Sequence, residues 1–555
     1  MFSSKTPLTL ALAAVAAGVS SVQAADAPLM LPTLTVSASA LNQTPEQMIQ
    51  PAAVLQGEDW FALRETGLAD SLESLPGVRA AGFGPGSSRP VIRGLDGARV
   101  RVLSDGADVL DASTISPDHA ISADTALIER VEVLKGPATL LYGGGAIGGV
   151  VNLIDRRVPT YVPERGYEGE IDLRANTVAD ERAGSAGLTL GTGAFAMRIE
   201  GGRSEADPYR IPGHPSRQEG AYNDTDTGSL GLSWIGEQGY LGLAYSRQDR
   251  EYGLLAHEHA DCHTHGPDWH CSGHDEHDHD DDHDDDDDHD EEHEPEAPAV
   301  RNRNFAGNSV SAGILTNLGS NTTFVTNLTG SHRAPSLSEL YNFGPHVGSL
   351  TFEVGDSELN SETTIGLDVS LRHQSPNVRG SFNAYVYDID NFVFSSITDE
   401  MAHGLRIGTI QQADSRFLGF DAEASGRIGN RAWLNAGFGA VDAELKNSGE
   451  GLPRIPPLRG RISLDLPYKD LTVSPEIIVA AAQNQIYKSE TVTSGYSVLN
   501  LRLSYVWTQP TAAHVIGLSA YNLTNELYRN HTSFIKDLAP EIGRGVRASY
   551  SIRFF

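Results

Sequence analysis

Beyond its first two dozen residues, this chain has no run approaching the ~18 to 20 unbroken apolar residues that a membrane-spanning helix requires. Cysteine is nearly absent: 555 residues contain two, Cys262 and Cys271. Basic residues are outnumbered, 41 against 73 acidic ones, and the resulting charge of -32 would repel nucleic acid. There is no His-Glu-x-x-His helix and no nucleophile motif, so no enzyme is expected and no catalytic cofactor. Tryptophan is also scarce, with five in the whole chain.

Histidine is unevenly spread. Eleven of nineteen fall in one tract, interleaved with carboxylates: His257, His259, His263, His265, His270, His274, His277, His279, His283, His289 and His293. Ala256–Glu296 holds nineteen Asp and Glu and no base, so the rest of the chain carries only -13. A solvated acidic spacer would need no histidine. Imidazole and carboxylate together are ligands for zinc and similar divalent ions, which makes the tract a metal-capture loop. Cys262 and Cys271 both lie inside it. In an oxidising compartment that spacing reads as a disulfide pinching the loop, with a thiolate metal site as the competing reading.

Residues 1–24 read as a secretory signal: Lys5, an apolar Leu8–Val19 and a small-residue site at Val22-Gln23-Ala24. From residue 160 the pattern alternates apolar and polar with short polar turns, as membrane β-strands of ~9 to 11 residues do. Sixteen such segments can be read, from 167–177 to 544–554, an even number as in bacterial barrels. If the first rises from the periplasm, the tract at about 254–300 emerges outside the cell.

Residues 51–159 are different, α/β-like and rich in glycine turns. Ile92-Arg93-Gly94, Asp105-Gly106, Glu132–Pro137 and Leu141-Tyr142-Gly143 through Gly149–Asn152 follow one another in order. These segments resemble the plug domain of TonB-dependent outer-membrane receptors. The resemblance implies an all-β transmembrane barrel with an N-terminal α/β plug in its lumen, in the outer membrane of a Gram-negative bacterium. It also implies lipid around a monomeric barrel and the energy-transducing TonB protein as periplasmic partner. The leader, 25–50, contains Thr33-Leu34-Thr35-Val36-Ser37, similar to the TonB box that such receptors offer for β-augmentation. Family barrels are larger, about 22 strands around a plugged lumen. Arg301 leads almost directly into the segment from Asn304, where relatives would be expected to carry further strands. Either strands escape this reading or the chain lacks them.

Two further stretches resemble the zinc-uptake members of this class: Ser116–Ala120 (SPDHA), and Ser331–Leu337 followed by Gly344–Leu359. Carried over by position, the resemblance implicates Asp118, His119 and His346 as zinc ligands, with Glu353 as a further oxygen. Zinc would then be cargo, gathered by the tract and passed to a site shared by plug and barrel. Two other readings stay open. Arg333-Ala334-Pro335, His346 and Gly355–Leu359 follow the order of motifs in heme receptors of the class, although an acidic loop repels heme propionates. A surface scavenger that binds metal without transporting it would need the tract but not residues 33–37.

Overall fold

The computed structural model describes residues 36–38, 43–84, 86–109, 112–114, 116, 118–213, 216–254, 260–265, 268–273 and 295–555. The expected signal at 1–24 and Thr33, Leu34 and Thr35 lie outside the described residues, as do His257, His259, His274, His277, His279, His283, His289 and His293.

Sixteen long antiparallel strands, Tyr167–Asn176 to Gly545–Phe554, form a closed barrel. The last strand returns to the first, with Ile552 opposite Ile171. Two four-residue strands, Phe343–His346 and Thr351–Val354, join the same sheet as a hairpin in an outer loop. Strand Glu362–Gln374 shows why these residues make a membrane wall. Its Ile365 and Leu371 point outward, 62% and 45% exposed, while Glu362, Asp368 and Arg372 are buried in the lumen. Apolar outside and polar inside is the reverse of a soluble sheet and the rule for a lipid-facing one. All sixteen segments expected from alternation are present.

The strand count also bears on the expected larger barrel. Between Leu254 and Val310 the described residues add only a small hairpin, Ala260–His265 with Asp268–Gly273, outside the barrel sheet. Its backbone register sets Cys262 opposite Cys271 and His263 opposite His270. The barrel strands flanking the tract, Gly239–Tyr252 and Val310–Asn317, are exposed along almost their whole length. The plug still meets this wall near its outer end, where Arg250 donates to the Ile121 and Ala123 carbonyls.

Residues 52–155 form the plug. Strands Ala52–Gln56, Ile128–Lys135, Gly149–Asp155, Val100–Ser104 and Ala107–Asp108 lie in that order in one mixed sheet. A second hairpin pairs Val78–Gly84 with Ser87–Ile92. The plug core joins Trp60, Leu72, Ile92, Val131, Val133 and Val151. Short connections alternate with longer ones around most of the barrel, and the pair Val378–Ala402 and Leu405–Ile428 instead extends outward as a long hairpin. By the usual rule the short turns face the periplasm and the long loops face outward. The plug turn carrying Ser116, Asp118 and His119 and the hairpin carrying His346 then share the outer end.

Candidate metal site between plug and barrel

Ser116, Asp118 and His119 sit in an irregular plug turn, where the His119 N–H donates to the Ser116 carbonyl at 3.3 Å. Across the seam, hairpin 343–354 turns through Val347–Ser349 and brings His346 back over the plug. Gly348 has to be small: a Cβ there would lie 3.0 Å from that of Asp118. His346 Nε2 consequently lies 3.1 Å from Asp118 Oδ1 and 2.7 Å from Ser116 Oγ. Two donors on a tetrahedral zinc ion, each bound at ~2.0 to 2.2 Å, are themselves about 3.3 Å apart. The His346–Asp118 pair is already spaced as one edge of such a polyhedron.

The other expected ligands stand differently. His119 Nε2 is 3.9 Å from Asp118 Oδ1, on a side chain 51% exposed and free to swing. Glu353 faces the opposite ring nitrogen, its Oε1 3.6 Å from His346 Nδ1, and accepts a hydrogen bond from Asn342 Nδ2. An ion on Nε2 would not reach it, so this geometry gives Glu353 the part of orienting the imidazole. Ser349 Oγ shares that role at 2.6 Å from Nδ1. Among the described residues, no three or more His, Cys, Asp or Glu side chains yet enclose an ion position. Of the four expected ligands, Asp118 and His346 alone stand at ligand spacing.

Charge explains how the His346–Asp118 pair is held. Burial works against a cation on His346, but the hydrogen bond to Asp118 and the Glu353 carboxylate outweigh it and raise the imidazole above its ordinary pKa. Burial likewise opposes ionisation of Asp118, yet the His346 hydrogen bond, and Ser116 after it, hold its carboxyl well below the usual range. A proton on His346 thus bridges plug and barrel where a metal ion could replace it.

Several functional residues escaped the sequence reading. Tyr252, the last residue of its strand before the tract, donates from its hydroxyl to the Asp118 carbonyl at 3.1 Å and accepts from the Ala120 N–H at 3.0 Å. Deeper in the lumen, Arg93 is fully buried against Asp368 Oδ1 at 2.6 Å and Asp421 Oδ2 at 2.8 Å, and Lys135 Nζ reaches Asp421 Oδ1 at 3.1 Å. Arg99 and Arg333 share Glu362 in a second buried cluster. Part of the signal was visible: Arg93 is a charge directly after the apolar Pro90-Val91-Ile92, and Asp368 and Asp421 fall on the lumen phase of their strands. At the inner end, Val36 is buried, and the N–H groups of Ser37 and Ala38 donate to the two oxygens of Glu132 at 2.9 and 2.8 Å. The end of the TonB-box-like segment is thereby tied to the plug sheet.

Comparison with known proteins agrees with this architecture. The family described as TonB-dependent Receptor Plug Domain matches residues 44–150, and TonB dependent receptor-like, beta-barrel matches residues 272–523. The chain belongs to the TonB-dependent receptor family, and it is an outer-membrane protein of a Gram-negative bacterium. Among curated proteins, it is 28% identical over 246 residues to the vitamin B12 transporter BtuB of Vibrio vulnificus, covering 41% of this chain and 39% of that one. It is 30% identical over 252 residues to the BtuB of Photobacterium profundum, covering 41% and 40%. The matched region thus spans about two fifths of those relatives' length. Among solved structures, the copper transporter OprC superposes with a TM-score of 0.71 at 16% identity, covering 91% of this chain and 98% of that one. The siderophore receptor PirA from Acinetobacter baumannii gives 0.66 at 14% identity, covering 94% and 100%. At such identities these structures speak to the fold alone.

Proposed function

We propose that this receptor imports a divalent metal ion, zinc before others, driven by TonB. The observation that carries this reading is the 3.1 Å approach of His346 Nε2 to Asp118 Oδ1, one donor on the barrel and one on the plug. A site split in this way is made when the plug is seated and broken when the plug moves, which import requires and storage does not. The His/Asp tract concentrates cations at the outer mouth. The ion then passes to Asp118 and His346, and His119 closes as third ligand. TonB pulls on the segment at 33–37, the load reaches the plug through Ser37, Ala38 and Glu132, and the ion is released to the periplasm.

Copper outcompetes zinc on affinity for nitrogen and oxygen donors. The described site offers no thiolate or thioether, which speaks against copper(I) and leaves zinc and copper(II) to be separated by supply and geometry. The test is growth of cells whose one high-affinity zinc route is this receptor. Zinc-limited growth should be lost on deleting residues 33–37 and on His346→Ala. Growth indifferent to residues 33–37, with zinc still bound, would make the chain a scavenger. Rescue by heme instead would overturn the metal reading.

A further inference from the structure

Phe83 meets the His346 ring edge-on at 6.3 Å and belongs to the same buried cluster as Tyr209 and Ile535. Those two residues, with Gly82 and Gly84 on either side of Phe83, wall a cavity of about 360 Å³ between plug and barrel. It runs from Glu541 in an outer loop, past Asp70 and Ser88 of the plug, to Ser463 and Ser474 partway down the wall strands Arg459–Tyr468 and Leu471–Ala480. Most of the charge around it is committed. Glu65 pairs with Arg547, Glu181 with Arg174 and Glu476 with Arg461, while Glu73 stands between Arg79 at 3.4 Å and Arg459 at 3.8 Å.

Asp70 and Glu541 are the exceptions. Among the described residues, no Lys, Arg or His comes within ion-pair reach of either carboxylate. Arg502 on the wall is a base without an acid, but it is not among the charges that bear most on these two groups. Ser88 is 6% exposed, and its Oγ has no hydrogen-bond partner among the described residues although Asp70 is its neighbour. Gly67 keeps that neighbourhood open, since a Cβ there would overlap both Asp70 Oδ2 and Ser88 Oγ. Burial, and Glu73 after it, pushes the Asp70 carboxyl up to about 7. Burial raises Glu541 to about 8, with Glu73 and Asp70 adding to it and Arg79 and Arg459 opposing. Tyr209, whose hydroxyl donates to the Pro540 carbonyl at 3.0 Å, is raised by burial and then by both carboxylates, so the three groups surround one space. Burying carboxylates without a cation is costly, and a bound cation would remove that cost.

We propose that this cavity is a second cation station, where Asp70, Glu541 and Ser88 Oγ take a divalent ion released from the His346–Asp118 pair. The inference rests on the metal-import reading and adds the next stop on the way inward. Its donors are oxygens alone. Imidazole suits zinc, whereas carboxylate and hydroxyl oxygens suit harder ions, so the station holds zinc more weakly than a site containing His346. Weak binding is what a station on a release path needs, because the ion has to leave again. The cavity continues inward from the two carboxylates, and that is the direction in which the cargo travels.

The test is anomalous scattering from crystals of the intact receptor soaked in zinc chloride, which locates each bound ion separately. Wild type should show a peak between Asp70 and Glu541 in addition to one at His346. In the double variant D70N/E541Q the cavity peak should vanish and the His346 peak should stay. No cavity peak in wild type, or one that survives the double variant, overturns the station. The wild-type soak needs no variant, and where the double variant fails to fold, E541Q in its outer loop takes its place. The two readings fail separately. A peak at His346 with none in the cavity defeats the station alone, and a cavity peak with none at His346 defeats the outer site alone. Cells relying on the receptor for zinc give the second readout. D70N/E541Q should slow zinc-limited growth while zinc still binds at His346; growth equal to wild type would remove the station from the path and make the cavity ion adventitious only.

Discussion

Plug and barrel meet at two levels, and the two seams are built from different chemistry. In mid-lumen, Arg93 and Lys135 meet Asp368 and Asp421 with almost no solvent, two cations against two carboxylates. At the outer end, one imidazole meets one carboxylate at 3.1 Å, beside a side chain that is half exposed. The inner seam fixes where the plug sits. On the proposed function, the outer seam has a bond whose bridging proton a metal ion would replace, so it can be made and broken at little cost to the rest. A receptor that must hold its plug and yet release its cargo needs both.

The largest effect should come from the inner seam. Arg93→Ala leaves Asp368 and Asp421 buried with one fewer cation, and breaking a buried pair from one side costs ~3 to 5 kcal/mol. Calorimetric unfolding of the purified receptor should show the plug transition lowered accordingly; an unchanged transition would erase the contrast between the seams. His346→Ala should do the opposite. In a receptor lacking residues 257–293, it should weaken zinc binding at least about tenfold while leaving the unfolding profile close to wild type.

The pH dependence sharpens the same contrast. His346 is raised above its ordinary value, so its ion pair with Asp118 is fully present below the unfolded pKa of ~6.5 and is lost as pH rises through the higher folded value. Asp118 is depressed, so its share is present above an ordinary carboxylate pKa and is lost only as pH falls through the folded one, in strong acid. Between those limits the proton holds the outer seam, and zinc must displace it. Zinc affinity should therefore begin to fall at a pH above ~6.5, sooner than for a free imidazole. Asp118→Asn should move that midpoint down. A zinc titration whose midpoint stays at ~6.5 in both proteins would refute a role for the pair.

Much of this was legible in the chain. Alternation along single strands marked all sixteen wall segments, because lipid outside and plug inside impose opposite polarity on successive residues. The glycine-punctuated plug segments could be read for the same local reason. The pairing of Asp118 with His346 came from resemblance, since 228 positions separate them and no periodicity links them. What escaped were contacts that exist only after the plug is seated: Glu353 on the wrong side of the ring to share an ion with Asp118, Asp368 and Asp421 waiting for Arg93, and Tyr252 reaching the plug. A lumen-phase aspartate shows in the sequence as a break in polarity, but its partner does not, because the partner lies on a separately folded unit.

Tyr252 provides the smallest test and the most local one. Its hydroxyl bonds both Asp118 O and Ala120 N–H, so it holds the backbone of the plug turn from the barrel side. Its ring cannot move inward, because it packs on the plug at Gly86, where an added Cβ would lie 2.3 Å from the Tyr252 Cβ. Tyr252→Phe keeps that packing and removes two neutral hydrogen bonds, each worth ~0.5 to 1.5 kcal/mol. If the tyrosine only props the loop, stability should fall slightly and zinc affinity should not change. If it sets the Asp118–His346 edge, zinc affinity should drop by roughly fivefold and the pH midpoint should shift toward that of Asp118→Asn, with the mid-lumen transition untouched. The second outcome is expected, because the hydroxyl grips the very residue whose carboxylate forms the edge. Tyr252 also stands shortly before the His/Asp tract, so the strand that leads into the tract is the one that holds the plug turn carrying Asp118.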